Sequence, residues 1–76
     1  MEEFDLNDLE EAIDVLIEDK EGFEILPAFG EVVTMTEKAV LLNFEEYGEK
    51  WIPKSVLRID SDATIYVANW FYDKEF

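Results

Sequence analysis

Cysteine and histidine are both missing from this 76-residue chain. Without cysteine there is no disulfide framework and no thiolate zinc site, and without histidine the usual metal-ligand sets shrink to carboxylates. Nucleophilic catalysis loses its common partners as well. The two serines, Ser55 and Ser61, have no histidine to activate them and no Ser-x-x-Lys arrangement. Glycine and proline number only three and two, so each marks a particular turn and none builds a linker. Bases are scarce, six against 20 acids, and the formal net charge is −14. No apolar run approaches the roughly 20 residues that span a bilayer, and an acidic N-terminus is not a signal peptide. The expectation is a soluble cytoplasmic protein of the cell interior.

What is present is a core. Hydrophobic residues make up 49% and aromatics 14% of the chain, which argues against disorder despite the charge. The length gives one domain, residues 1–76, that hides only about 60% of its unfolded surface. Paired carboxylates can perform acid-base chemistry, but so short a chain offers little room for a pocket of about 300 Å³ or more. A non-enzyme without cofactor or metal is expected.

The clearest local signal runs from Glu37 to Ile59. Ala39 to Phe44 is a nearly unbroken apolar run, closed by Glu45, Glu46, Tyr47 and Gly48 and resumed by Trp51 and Ile52. That is a β-hairpin with a loop longer than two residues. Alternation puts Val40, Leu42 and Phe44 on one side and Ala39, Leu41 and Asn43 on the other. Both sides are mostly apolar, which predicts cover on both. Pro53, with no N–H to donate, ends the pairing. Glu31 to Met35 reads as the preceding strand, Thr36 to Lys38 as a tight turn, Val56 to Ile59 as a further strand, Asp60 to Ala63 as a turn, and Ile65 to Val67 as the last strand. Pro27 and Gly30 mark residues 23–30 as a connector.

Upstream, Asp5 or Asn7 is placed to cap a helix, and Leu6, Leu9, Ile13, Leu16 and Ile17 recur at helical spacing. The spacing predicts a helix over 6–19, with Gly22 in the turn after it. Downstream, Asn69 can cap a short helix carrying Trp70, Phe71 and Asp73; a continuing strand is the alternative. The expected fold is α+β. An N-terminal amphipathic acidic helix (residues 1–22) packs on a small curved antiparallel sheet or partial barrel (31–67), followed by a short C-terminal aromatic helix or strand (68–76).

The motif Thr36-Glu37-Lys38-Ala39-Val40-Leu41-Leu42, then Gly48-Glu49, then Trp51-Ile52-Pro53-Lys54-Ser55, with Val67-Ala68-Asn69-Trp70 later, resembles small phage and prophage proteins over residues 32–76. The resemblance implies no residue roles.

Charge supplies the functional expectation. Residues 1–31 carry a net −11 and residues 32–76 a net −3. Such a field repels nucleic acid and anionic membranes and attracts basic partners. On the expected helix Asp8, Glu11, Asp14 and Glu18 share a face, with carboxylates about 5 Å apart along the axis. That compares with about 3.4 Å per phosphate along a duplex strand. The leading reading is therefore a small phage-type inhibitor that binds a basic, nucleic-acid-handling host protein by nucleic-acid mimicry. A defence nuclease or CRISPR effector is the natural target class, and Trp70 or Tyr72 supplies an apolar anchor. The plain alternative is a solvated helix face.

A second reading takes Lys50, Trp51, Lys54 and Arg58 as a basic row with a stacking aromatic on a small barrel, the ingredients of single-strand binding. Against it, Trp51 fits a core position and the bases can neutralise the chain's own acids. A third reading is an assembly protein acting through Tyr66, Trp70, Phe71, Tyr72 and Phe76, with homodimerisation as a secondary expectation. Asp60-Ser61-Asp62-Ala63-Thr64 has the opening of a calcium loop but lacks its glycine and closing glutamate, and reads as an Asp-rich turn.

Overall fold

A computed structural model describes residues 4, 6–13 and 15–76. In chain order these form helix α1 (Leu6–Ala12), strands β1 (Phe23–Ile25), β2 (Phe29–Met35), β3 (Ala39–Phe44) and β4 (Gly48–Pro53), a 3-10 turn (Lys54–Val56), strands β5 (Leu57–Ile59) and β6 (Ile65–Ala68), and helix α2 (Asn69–Glu75). The class is α+β. The strands make two three-stranded antiparallel sheets, β2-β3-β4 and β1-β6-β5, and no closed barrel. The single sheet expected over 31–67 is thus replaced by two, and the second draws a strand from the presumed connector.

β3 organises the first sheet. Val40, Leu42 and Phe44 are fully or almost fully buried, while Ala39, Leu41 and Asn43 on the other face are half-buried. The sheet is thus sealed on one face only, against the expectation of cover on both. In β2 the residues paired with that buried face are Phe29, Val32 and Met35, three apart where an ideal strand repeats every two. Register shifts after Phe29 and after Val32 absorb the spare residues, Gly30 and Val33. Such bulges bend and twist the strand. They explain why residues 29 and 30 do not read as strand in sequence.

The turns follow their chemistry. Thr36 closes the β2–β3 connection by donating its N–H to the Ala39 carbonyl at 2.8 Å, and the Ala39 N–H donates to Thr36 Oγ1 at 3.1 Å. Gly48, at φ +75, ends the loop that carries β3 into β4. Pro53 is the last paired residue of β4, opposite Ala39.

The N-terminal helix is shorter than its periodicity suggests. The Ile13 N–H still donates to the Leu9 carbonyl at 3.2 Å, but beyond it the chain runs alongside β5. Leu16 makes a parallel bridge to Ile59, with Ile59 N–H donating to Val15 O at 3.2 Å and Ile17 N–H to Ile59 O at 2.9 Å. Ile13, Val15 and Ile17 are β-branched at alternate positions, a strand preference that the helical spacing conceals. Pairing with the free edge of β5 supplies backbone partners that a continued helix would have supplied internally. Gly22, at φ +88, accordingly serves the turn into β1 and caps no helix.

α2 confirms the helical alternative for the C-terminus, with a different start. Ala68 precedes it in extended conformation, no side chain caps it, and Asn69 lies inside as its first residue. The Asn69 N–H donates to the Gly22 carbonyl at 2.9 Å, tying α2 to the turn before β1. Leu9, Ile13, Leu26, Ile52, Leu57, Val67 and Phe71 join the β3 residues in one core.

Candidate functional site: an acidic surface

The shortened helix breaks the expected carboxylate row. Asp8 and Glu11 lie on α1, Glu18 lies beyond it in irregular chain, and Asp14 is outside the described residues. Four acids on one rigid helical face is therefore not the arrangement of this chain. Exposed acids instead follow the path of the backbone: Glu11, then Glu18, Asp19 and Glu21, then Glu24 on β1 and Glu31 on β2. Because the helix ends at Ala12, Glu18 and Asp19 do not oppose its dipole.

Three of the six bases touch the protein's own rings or carbonyls. Lys20 Nζ lies 3.9 Å from Asp60 Oδ2 and 5.4 Å from the centre of the Tyr66 ring. Lys50 Nζ sits 5.7 Å from the Phe76 ring, and the Arg58 guanidinium 5.3 Å from the Phe23 ring. Arg58 Nη1 also donates to the carbonyls of Ser55 and Leu57, both at 2.8 Å. Cation-π contacts of this kind hold a charge against an aromatic face at a worth of about 0.5 to 1 kcal/mol at exposed sites.

The proposed basic row is accordingly divided. Lys50 pairs with Leu42 and Trp51 with Leu41, which places them on opposite faces of β4. Lys54 and Arg58 share a shallow cleft with Glu37 and the apolar Ile13, Val15 and Leu57, and Trp51 is not among its lining residues. Trp51 is 49% exposed, so the expectation of a core tryptophan is also corrected. Its outward position comes from alternation with the fully buried Ile52.

Of the two anchor candidates, Trp70 is 62% exposed, with its ring edge-on to Phe71. Tyr72 is half-buried and stacked at a tilt on Phe76, 5.5 Å between ring centres. Phe76 in turn meets Phe44 and Tyr47 edge-on, each at 4.9 Å. The C-terminal aromatics thus divide between a ring cluster that closes the core and one outlying indole.

Asp60 is the best-satisfied carboxylate described. Its Oδ1 accepts from the N–H groups of Asp62 and Thr64, both at 2.9 Å, and its Oδ2 accepts from the Tyr66 hydroxyl at 3.0 Å. The Thr64 N–H, the largest influence, holds its pKa below the ordinary value; desolvation, next in size, opposes it, and the Tyr66 hydroxyl, the Asp62 N–H and the Lys20 charge add to the lowering. The pKa of Lys20 is raised, chiefly by Tyr66 and then by the charges of Asp60 and Asp62. This is turn chemistry: the Asp60 oxygens accept from the turn's own N–H groups and from Tyr66, and Ala63 takes the left-handed conformation at φ +63. Among the described residues no group of three or more acidic side chains is arranged to hold a metal ion, and no helix is long and apolar enough to cross a membrane.

One feature escaped the sequence reading. A cleft of about 570 Å³ opens between β1 and β2, lined mainly by apolar residues including Phe4, Leu6, Ile25, Pro27 and Phe29. It is larger than the chain length led us to expect, and among the described residues Glu31 is the one ionisable residue of its lining. The available signal was the run Phe23-Glu24-Ile25-Leu26-Pro27-Ala28-Phe29, too apolar for an ordinary surface connector.

No protein-family model matches this chain, and no curated protein or solved structure matches it either. The likeness of residues 32–76 to small phage proteins therefore rests on the motif alone.

Proposed function

We propose that this protein binds a basic, nucleic-acid-handling protein and inhibits it by placing carboxylates where phosphates would sit. One observation carries the reading. Lys20, Lys50 and Arg58 are engaged with the protein's own rings and carbonyls, while Glu11, Glu18, Glu21, Glu24 and Glu31 stand on the surface. Uncompensated like charge raises the free energy of the folded state by self-repulsion and contributes nothing to packing. A cationic partner relieves that repulsion on binding. The mimicry is of charge density along an irregular path and does not need a single helix. The exposed Trp70 supplies an apolar contact, a residue type enriched at interface hot spots.

The dispersal of the basic row favours this over direct nucleic-acid binding. A strand of phosphates would have to approach a chain of net −14 and compete with Phe76 and Phe23 for Lys50 and Arg58. The test is affinity capture from cell lysate with the wild-type protein and with a Glu11→Lys/Glu18→Lys variant, at low and high salt. The proposal predicts a nucleic-acid-binding protein retained at low salt and lost in the other conditions. Identical recovery by the variant would remove these acids from the mechanism.

A further inference from the structure

We infer that the cleft between the two sheets receives an extended segment of the partner in which apolar and basic residues alternate. This rests on the proposal that the partner is basic, and adds where and in what form it docks. β2 and β1 are each the edge strand of their sheet, and the cleft opens between them. The outer edge of β2 is bridged at Val32 by Phe4 of the same chain, so Phe4 forms one wall of the cleft and the segment lies against side chains there.

The cleft's volume, about 570 Å³, lies inside the range of roughly 300 to 1,000 Å³ typical of ligand sites. On its walls Ile25 is 62% and Leu6 52% exposed, apolar surface that the core leaves unused. Charge selects the occupant. Glu31 is exposed and is the only ionisable side chain of the lining among the described residues, and the field of the whole chain excludes anions. In an extended segment successive side chains point to opposite sides. Apolar residues then enter between Ile25 and Phe29, and the intervening lysines or arginines face Glu31 and the acids outside.

The probe is an eight-residue peptide of alternating lysine and valine, with octalysine as the comparison, titrated into the full chain at physiological salt while backbone amide shifts are followed. The alternating peptide is expected to move the amides of residues 25–32 and to bind more tightly than octalysine. Ile25→Lys, at a position exposed enough to leave the fold intact, should weaken it about tenfold or more by removing apolar burial. Glu31→Lys should weaken it without touching the apolar wall. Equal affinity of the two peptides, with Ile25→Lys indifferent, would overturn the docking site yet leave the acidic-surface proposal standing. Concentration-dependent shifts of residues 25–32 in the protein alone would also overturn it, by assigning the cleft to a second copy of the chain.

Discussion

The strand-like course of residues 15–17 makes a prediction that separates it from the helix that sequence periodicity suggests. In the bridge to Ile59 the backbone groups used are the Val15 carbonyl and the Ile17 N–H, while those of Leu16 point away from β5. Leu16 is also 65% exposed. Leu16→Pro therefore loses no backbone hydrogen bond and little packing, and proline is tolerated where a strand N–H faces solvent. Its expected cost is below about 1 kcal/mol. Ile17→Pro removes the 2.9 Å donation to Ile59 O and a half-buried side chain. A lost hydrogen bond and partial apolar loss together cost about 2 to 3 kcal/mol. In a helix continuing to residue 19 both prolines would fall in the interior and each would cost about 3 kcal/mol or more. Urea unfolding of the two variants measures the difference, which is large for a chain of this size, whose total stability is about 4 to 11 kcal/mol. Equal and severe destabilisation by both would refute the extended pairing.

Leu9→Ala removes the fully buried anchor of α1 and should cost about 2 to 5 kcal/mol, read from the same urea curves. Gly48→Ala meets no atom within 4 Å of the new Cβ, so its cost is that of φ +75 alone, about 1 to 2 kcal/mol. The depressed pKa of Asp60 makes its stabilising contribution complete above the ordinary value of 3.8 and progressively lost as pH falls through the lower folded value. Wild type should thus exceed Asp60→Asn in melting temperature near neutrality and converge with it in strong acid; a gap that stays constant with pH would contradict the assignment. Both tryptophans are exposed, so acrylamide should quench Trp51→Phe and Trp70→Phe alike, and a shielded emission from either variant would misplace the remaining indole.

The parts of the fold that were legible in the sequence are those where one local preference acts alone. β3 alternates cleanly, Thr36 and Gly48 carry turn chemistry with their own side chain or its absence, and α2 begins where the apolar run of β6 ends. The misread segments carry two preferences at once. Val15, Leu16 and Ile17 fit both a helical and a strand period, and the free edge of β5, which lies about forty residues away along the chain, decides between them. Residues 29–35 hold a strand whose period is stretched by two bulges, and only pairing with β3 reveals it. The charge imbalance was visible from composition. That Lys50 and Arg58 face the protein's own rings was not, because Lys50–Phe76 and Arg58–Phe23 join different elements.

The proposed mimicry puts this acidic surface in the place of nucleic acid on its partner. The direct measurement is fluorescence anisotropy of a labelled oligonucleotide bound to the captured partner, as this protein is titrated in. Mimicry predicts that anisotropy falls to the value of free oligonucleotide, and that Glu11→Lys/Glu18→Lys needs a higher concentration to reach it. A steady or rising anisotropy while the protein binds would mean that both ligands are held together, and would contradict the account.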